Sequence, residues 1–259
     1  MSVLETDVSA PPAPKARTKT ASRVASATAV LHDLLIVTWA VPADSLQSLV
    51  PAGTTLERLP REDGSLVGFV QLLFALRDDA RWSVLPASMG DDFHEATLQV
   101  LTRDTDGPSA FVVKHFVAST QIATSLMPFT QAAEEARFHV YVAGDPARQT
   151  FEKLGIKLTT HSVQVHVRGE ATELPERTLV GPWLESVAFF SRLERQVHPG
   201  RLPKDSQTLF RTEHPPLKPV AVKLTHQIVR PFDNLELGEP LLALYQAELP
   251  VTNLPIRRR

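Results

Sequence analysis

"HEATLQVLTRDTDGPSAFVVKHFVAS", residues 94–119, has the pattern of two β-strands joined by a tight turn. In its first half Ala96, Leu98 and Val100 alternate with polar residues, which is the period of a half-buried strand. The letters DTDGPS between the halves are typical of a turn. We therefore predict a β-hairpin with strands over residues 94–103 and 109–118.

Most of the remaining chain also has strand patterns. Apolar, β-branched or alternating runs cover residues 29–41, 65–76, 137–144, 157–171, 207–213, 219–227 and 240–249. Short helices are predicted over residues 42–51 and 179–190. About nine strands with a few short helices indicate a mainly β protein of α+β type, closed or nearly closed on itself.

The composition is that of a globular protein with one domain. Of the 259 residues, 43% are hydrophobic and 22% are charged. No linker or internal repeat divides residues 28–259, which we predict to form a single domain. Residues 1–27 are rich in Ala, Ser, Thr and Pro, and such a composition predicts a disordered tail.

Several classes of function are disfavoured by composition. The net charge is −2 and no basic stripe is interleaved with aromatics, so nucleic acid is not an expected partner. The chain has no cysteine, which excludes disulfides and thiolate chemistry and fits a cytoplasmic protein. No apolar run approaches the roughly 20 residues that span a bilayer. Glycine-rich phosphate loops are absent, no cofactor is predicted, and assembly into a homo-oligomer is left open.

The histidine pattern does not predict a metal site. "HEATL" begins like the zinc motif H-E-x-x-H, but Leu98 stands where the second histidine belongs. His161 and His166 are five residues apart and would point to opposite faces of one strand. Such histidines are more often hydrogen-bonded structural groups than ligands.

Polar residues on the hairpin are the first candidates for a binding site. Glu95, Gln99 and Arg103 share one face of their strand, and Arg103 could pair with a carboxylate. A polar face inside a closed β structure can line a ligand cavity. The alternative is a solvated or hydrogen-bonded face without a functional role.

The partner strand presents a lysine and a histidine in sequence. By strict alternation Lys114 shares a face with Val112 and Phe116, while His115 lies on the opposite face. One of the two must point inward if the sheet is covered on one side. Either could therefore line a cavity, or be a surface lysine and a satisfied core histidine.

His214 is the last candidate. It precedes Pro215-Pro216, which hold the backbone stiff and extended. A histidine at a stiff strand end suits a cavity mouth, where its near-neutral pKa would permit proton transfer. A purely structural role is the alternative.

Several stretches, in order and spacing, resemble a known family. They are residues 32–57, 63–77, 93–102, 125–132 ("SLMPFTQA"), 189–200 and 209–224, the last with a His-Pro-Pro element. The chain resembles, over roughly residues 30–248, an uncharacterised family of the acetoacetate decarboxylase-like superfamily. The resemblance implies a β-barrel core around an internal cavity, with peripheral strands and a few short helices.

The resemblance also shows where this chain departs from the decarboxylases. Their chemistry uses a lysine that forms a Schiff base with a keto acid, usually as one of a lysine pair. Phe129 and Thr130 of "SLMPFTQA" stand where that pair would be, and no lysine lies between Lys114 and Lys153. The fold can therefore transfer without the chemistry.

Three hypotheses about function follow. The first is an internal cavity that binds a small organic carboxylate or carbonyl compound without the standard Schiff-base lysine. The second is a lyase or isomerase that acts on a keto acid or related carbonyl compound through Lys114, or through Glu95 and His214 as an acid/base pair. The third is a non-catalytic structural or interaction protein with a packed interior.

Overall fold

The fold is mainly β. The computed structural model describes residues 27–82, 92–105, 107–119, 133–145, 150–191, 194–199, 207–230, 235 and 237–258. The predicted tail lies outside these residues except for Ala27, where the first strand begins.

The described residues form fourteen strands and three short helical segments. The strands are β1 (Ala27–Pro42), β2 (Thr55–Leu56), β3 (Leu59–Pro60), β4 (Leu66–Trp82), β5 (Phe93–Asp104), β6 (Gly107–Val117), β7 (Ala133–Glu135), β8 (Arg137–Asp145), β9 (Thr150–Thr159), β10 (Gln164–Ala171), β11 (Arg195–Pro199), β12 (Gln207–Glu213), β13 (Val220–Arg230) and β14 (Leu242–Arg258). The helices are α1 (Ala43–Leu46), a 3-10 turn (Gln47–Leu49) and α2 (Trp183–Phe190), at both predicted positions.

Seven of the strands close on themselves. Their order is β1-β4-β5-β6-β11-β12-β14, and β14 returns to pair with β1. All neighbours are antiparallel except β6 and β11, which run parallel. We call this set the strand ring; its inner face holds the candidate site.

The outer face of the ring is covered by a second antiparallel sheet. Strands β13, β10, β9 and β8 form it, and β13 also pairs with β14. Trp39, Phe74 and Leu98 of the ring share one core cluster with Leu158 and other residues of this sheet. The Nε1–H of Trp39 donates to Oε1 of Gln227 over 2.9 Å, which joins the two layers through a polar contact as well.

The predicted hairpin is confirmed, with one correction. β5 and β6 pair from Asp104–Gly107 at the turn to Glu95–Val117. Leu98 faces Lys114, but Gln99 faces Val112, so a β-bulge at Val113 interrupts the alternation. Lys114 and Val112 therefore lie on opposite faces, and the prediction that they share one is wrong.

The run 157–171 is a hairpin rather than one strand. β9 ends at Thr159 and β10 begins at Gln164. The Thr160 hydroxyl accepts hydrogen bonds from the backbone N–H groups of Ser162 and Val163, which closes the turn. His161 lies in this turn, so it does not belong to the same strand as His166.

Candidate functional site

A cavity of about 90 Å³ lies inside the strand ring, and each of the seven strands contributes to its wall. Most of the surface of the wall is apolar, and its apolar residues are Leu31, Leu34, Leu73, Ala75, Phe93, Phe210 and Val251. The polar part consists of Arg77, Glu95, Thr97, His115, Gln196, His198, Thr212 and Asn253. These residues meet because they alternate toward the inner face of their strands.

A row of glutamines separates the cavity from a filled part of the ring. Gln196 Nε2 donates to Gln99 Oε1 and Gln99 Nε2 donates to Gln71 Oε1, both over 2.9 Å. Gln71 Nε2 in turn donates to the Thr38 hydroxyl and to the carbonyl of Phe190 in α2. Gln71 and Gln99 are 1% and 0% exposed, and each of these hydrogen bonds satisfies a polar group that burial would otherwise leave unpaired.

Beyond the glutamines, helix α2 fills the ring with aromatic rings. Phe189 and Phe190 pack edge-on against Phe69 of β4, with ring centroids 5.7 Å and 5.1 Å away. Edge-to-face contacts of this kind add to the burial energy of large side chains. One part of the ring is therefore packed, and the cavity occupies another.

The strongest charge contact in the cavity wall is an ion pair. Arg77 donates to Glu95 Oε1 from Nη2 over 2.6 Å and from Nε over 3.1 Å. The two side chains are 15% and 14% exposed. Burial raises the pKa of Glu95, but Arg77 and the hydrogen bond from His115 outweigh burial and lower it to about 2. Glu95 is therefore a carboxylate at neutral pH.

Two histidines lie next to this pair. His115 Nε2 is 3.4 Å from Glu95 Oε2, and the His115 and His198 rings meet edge-to-face with centroids 5.8 Å apart. The two residues are 9% and 4% exposed, and the Nδ1 atom of each has no hydrogen-bond partner among the described residues. Burial, and then the neighbouring His115, hold the pKa of His198 well below its ordinary value.

The structure brings two of the predicted residues into the cavity and a third beside it. Glu95 and His115 line the wall, and Gln99 holds the wall residue Gln196. The inward direction of His115 follows from its pairing with Thr97, which also lines the cavity. Their role in ligand binding stays a prediction.

The other three candidates lie elsewhere. Arg103 pairs with Glu57 at 2.8 Å and lines a separate surface groove. Lys114 lies 3.5 Å from Glu134 and opposite Leu98, on the outer face of the ring. His214 lines a third groove, 3.7 Å from Glu194, so it does not meet Glu95 in this cavity.

Sequence reasoning missed Arg77, Gln196 and His198. Residues 66–76 of β4 are apolar on both faces apart from Gln71, so nothing in the pattern distinguishes the inward Arg77 from a polar residue at the end of a strand. Gln196 and His198 reach the cavity because β11 runs parallel to β6, a long-range pairing without a local signal. Among the described residues no group of three or more His, Asp or Glu side chains could hold a metal ion.

Comparison with known proteins identifies the fold. No family model matches the chain, and the search of curated proteins found no match. Among solved structures, an acetoacetate decarboxylase-like enzyme from Sphingomonas wittichii RW1 superposes with a TM-score of 0.60 at 13% identity, covering 91% of this chain and 93% of that one. The acetoacetate decarboxylase of Legionella pneumophila gives 0.61 at 12% identity, with 90% and 86% covered.

The chain has the acetoacetate decarboxylase-like fold. A third solved structure of this fold, the enduracididine biosynthesis enzyme MppR complexed with pyruvate, has a TM-score of 0.56 at 13% identity and covers 99% of this chain and 98% of that one. The sequence resemblance is thereby confirmed at the level of the fold. "SLMPFTQA", the stretch at which the sequence resemblance places the decarboxylase lysine pair, lies outside the described residues.

Within the described part of the chain, no helix is both long and apolar enough to cross a membrane.

Proposed function

We propose that the protein binds a small organic molecule with a carboxylate or carbonyl group in the cavity of the strand ring, without the standard Schiff-base lysine. The observation that carries this proposal is the cluster of Arg77, Glu95, His115 and His198 in an otherwise largely apolar wall. An apolar pocket with a few convergent polar groups is the usual form of a small-molecule site.

The size of the cavity sets the size of the ligand. One water needs roughly 10–15 Å³ of such volume, so about 90 Å³ accommodates a compound of roughly six to nine non-hydrogen atoms. The apolar side chains favour a short aliphatic or aromatic body. The amide and hydroxyl groups of Gln196, Asn253 and Thr97 supply hydrogen bonds for a carbonyl oxygen.

Two further facts support the proposal. No lysine is among the described residues that line the cavity, in keeping with the absence of a lysine from "SLMPFTQA". MppR, a structural neighbour with the same fold, forms complexes with the keto acid pyruvate and with the condensation product of pyruvate and imidazole 4-carboxaldehyde.

A binding panel tests the proposal. Keto acids, hydroxy acids and aromatic acids are added to the protein, and binding is followed by thermal shift and native mass spectrometry. Ala75 is 3% exposed and lines the cavity, so Ala75→Leu fills the space without adding a polar group. We expect at least one acid to bind, and Ala75→Leu to weaken that binding at least tenfold.

The matched control is Ala171→Leu, at an exposed position at the end of β10. It should leave binding unchanged. Absence of binding by every acid in the panel, or equal loss in both variants, would contradict the proposal.

Catalysis on a keto acid through Lys114 is a weaker hypothesis, because Lys114 pairs with Glu134 on the outer face of the ring. Borohydride reduction in the presence of acetoacetate or pyruvate tests it, since a Schiff base would leave a modified Lys114. The acid/base version needs Glu95 and His214 in one site, and the two line different cavities.

A structural or interaction protein would be favoured by a filled interior. A cytoplasmic location stays a prediction.

A further inference from the structure

The charges of the cavity wall cancel before any ligand enters. Among the described residues that line it, the titratable groups are Arg77, Glu95, His115 and His198. Arg77 is already paired with Glu95, so the guanidinium charge is balanced inside the protein. The lining residues from β1, β12 and β14 are apolar or neutral. An entering carboxylate therefore has no uncompensated positive side chain to meet unless a histidine gains a proton.

The groups that face His115 come from each neighbouring strand. Glu95 of β5 lies 3.4 Å away, with Arg77 of β4 on its other side, and His198 of β11 lies edge-on at 5.8 Å. On β7, which runs parallel to β6, Glu134 is occupied by Lys114 and His161 at 3.5 Å and 3.3 Å.

In each of the two histidines the ring nitrogen Nδ1 is free to accept a proton. When neutral His115 donates its Nε2–H to Glu95, Nδ1 carries a buried lone pair that meets no donor from the described residues. His198 Nδ1 is likewise buried and has no partner within the described part of the chain. Buried polar atoms without a partner are rare and call for a functional or structural explanation.

We propose that the cavity binds a monocarboxylate together with one proton, which His115 holds at Nδ1 beside His198. This inference rests on the proposed function and makes its ligand class more specific. Protonation places an imidazolium beside Glu95 and gives the wall a charge of +1, which balances the −1 of the ligand. An unbalanced ion in such a low-dielectric space is costly, so the proton and the carboxylate enter as a neutral pair.

The charge balance also predicts what the cavity rejects. A dicarboxylate would bring a second charge that no described wall residue can balance. A neutral amide of the same shape needs no proton, so its binding should not depend on pH.

Calorimetry measures directly the number of protons that the protein takes up when the ligand binds. Pyruvate and benzoate are titrated into the protein at pH 8, where an ordinary imidazole is neutral, in phosphate and in Tris, whose ionisation enthalpies differ. We expect about one proton taken up per carboxylate bound, and affinity that falls about tenfold from pH 8 to pH 9 by linkage. Pyruvamide and benzamide should bind with no proton uptake in the same buffers.

Variants locate the proton. His115→Gln can still donate to Glu95 but cannot be protonated, so carboxylate binding should lose its pH dependence and weaken at least tenfold, while amide binding persists. His139→Gln removes an exposed histidine of β8 outside the cavity and should change neither. Since the wild-type proton count needs no variant, a failure of His115→Gln to fold leaves the inference testable.

The outcomes separate the inference from the function that it rests on. If neither the acids nor the amides bind, the proposed function is wrong and the inference falls with it. If the acids bind with no proton uptake and no pH dependence, or only the amides bind, the site stands and the proton-coupled mode is wrong. Uptake that persists in His115→Gln would place the proton elsewhere and overturn the assignment.

Discussion

The two ends of strand β5 carry the same pair of residue types in different surroundings. At the cavity end Glu95 meets Arg77 with an N–O distance of 2.6 Å, and the two side chains are 15% exposed for the arginine and 14% for the glutamate. At the groove end Arg103 meets Glu57 at 2.8 Å, with the arginine 51% exposed and the glutamate 8%. The two distances are similar, yet only in the Arg77–Glu95 pair are both side chains shielded from water.

The difference shows what surroundings add to an ion pair. Water reaches the Arg103 guanidinium and screens its interaction with Glu57, so replacing Arg103 lets water enter beside the Glu57 carboxylate where the guanidinium was. The Arg77–Glu95 pair has little water to replace a lost partner, and each charge depends on the other. The buried pair can therefore fix the charge of a binding site.

The largest expected effect comes from breaking the buried pair. Arg77→Met leaves the Glu95 carboxylate without its main partner and should lower the free energy of unfolding by about 3–5 kcal/mol, measured by urea denaturation at pH 7. Arg103→Met should cost less, because the groove is open to water. Equal losses in the two variants would contradict the contrast between the pairs.

A double variant sharpens this result. Adding Glu95→Gln to Arg77→Met removes the unpaired buried charge of Glu95 and should recover part of the lost stability. A double variant that is less stable than Arg77→Met alone would show that the charge of Glu95 is not the cause.

The next effect is a loss of stability at low pH. Burial opposes ionisation of Glu95, but Arg77 and His115 hold its folded-state pKa at about 2, below the ordinary value of 4.5. Ionised Glu95 therefore stabilises the folded protein above pH 4.5, and this contribution disappears as the pH falls from 4.5 to 2. The lowered pKa corresponds to about 3 kcal/mol.

Urea denaturation of the wild type and Glu95→Gln between pH 7 and pH 2 measures this contribution. The difference in the free energy of unfolding between the two proteins should shrink by about 3 kcal/mol as the pH falls from 4.5 to 2. Glu152→Gln, at an exposed position of β9, serves as the matched control and should follow the wild type throughout. A constant difference between wild type and Glu95→Gln down to pH 2 would mean that Glu95 has an ordinary pKa.

The fold was predictable from local patterns to a large extent. Alternation and turn residues gave the β5–β6 hairpin, and apolar runs gave β1 and β4. The bulge at Val113 was not predictable, because nothing in "FVVKHF" marks the residue that drops out of register. Nor did the sequence show that residues 157–171 turn at Thr160, since the same alternation continues on both sides of the turn.

The candidate site was predictable only where it lies on the hairpin. Glu95 and His115 were found because adjacent antiparallel strands bring them together. Arg77 and His198 come from strands far apart in the sequence, and their approach depends on closure of the ring. Arg103 shares the alternation of Glu95 but lies eight residues along the strand, too far to share one small cavity.

The smallest predicted effect concerns Gln99, which lies between the two ends of β5. Gln99→Leu leaves Gln71 Oε1 and Gln196 Nε2 without the bonds that Gln99 makes, at a cost of about 2 kcal/mol in the free energy of unfolding. Gln196 then loses its anchor in the cavity wall, so ligand affinity should fall as well. Gln47→Leu, an exposed position after α1, is the control and should alter neither quantity.

A loss of stability in Gln99→Leu without any loss of affinity would show that the glutamine row only fills the ring. A loss of both would show that the row also positions Gln196 for the ligand. The Arg77–Glu95 pair would then be one of two polar structures that shape the cavity, the first by its charge and the second by the orientation of an amide.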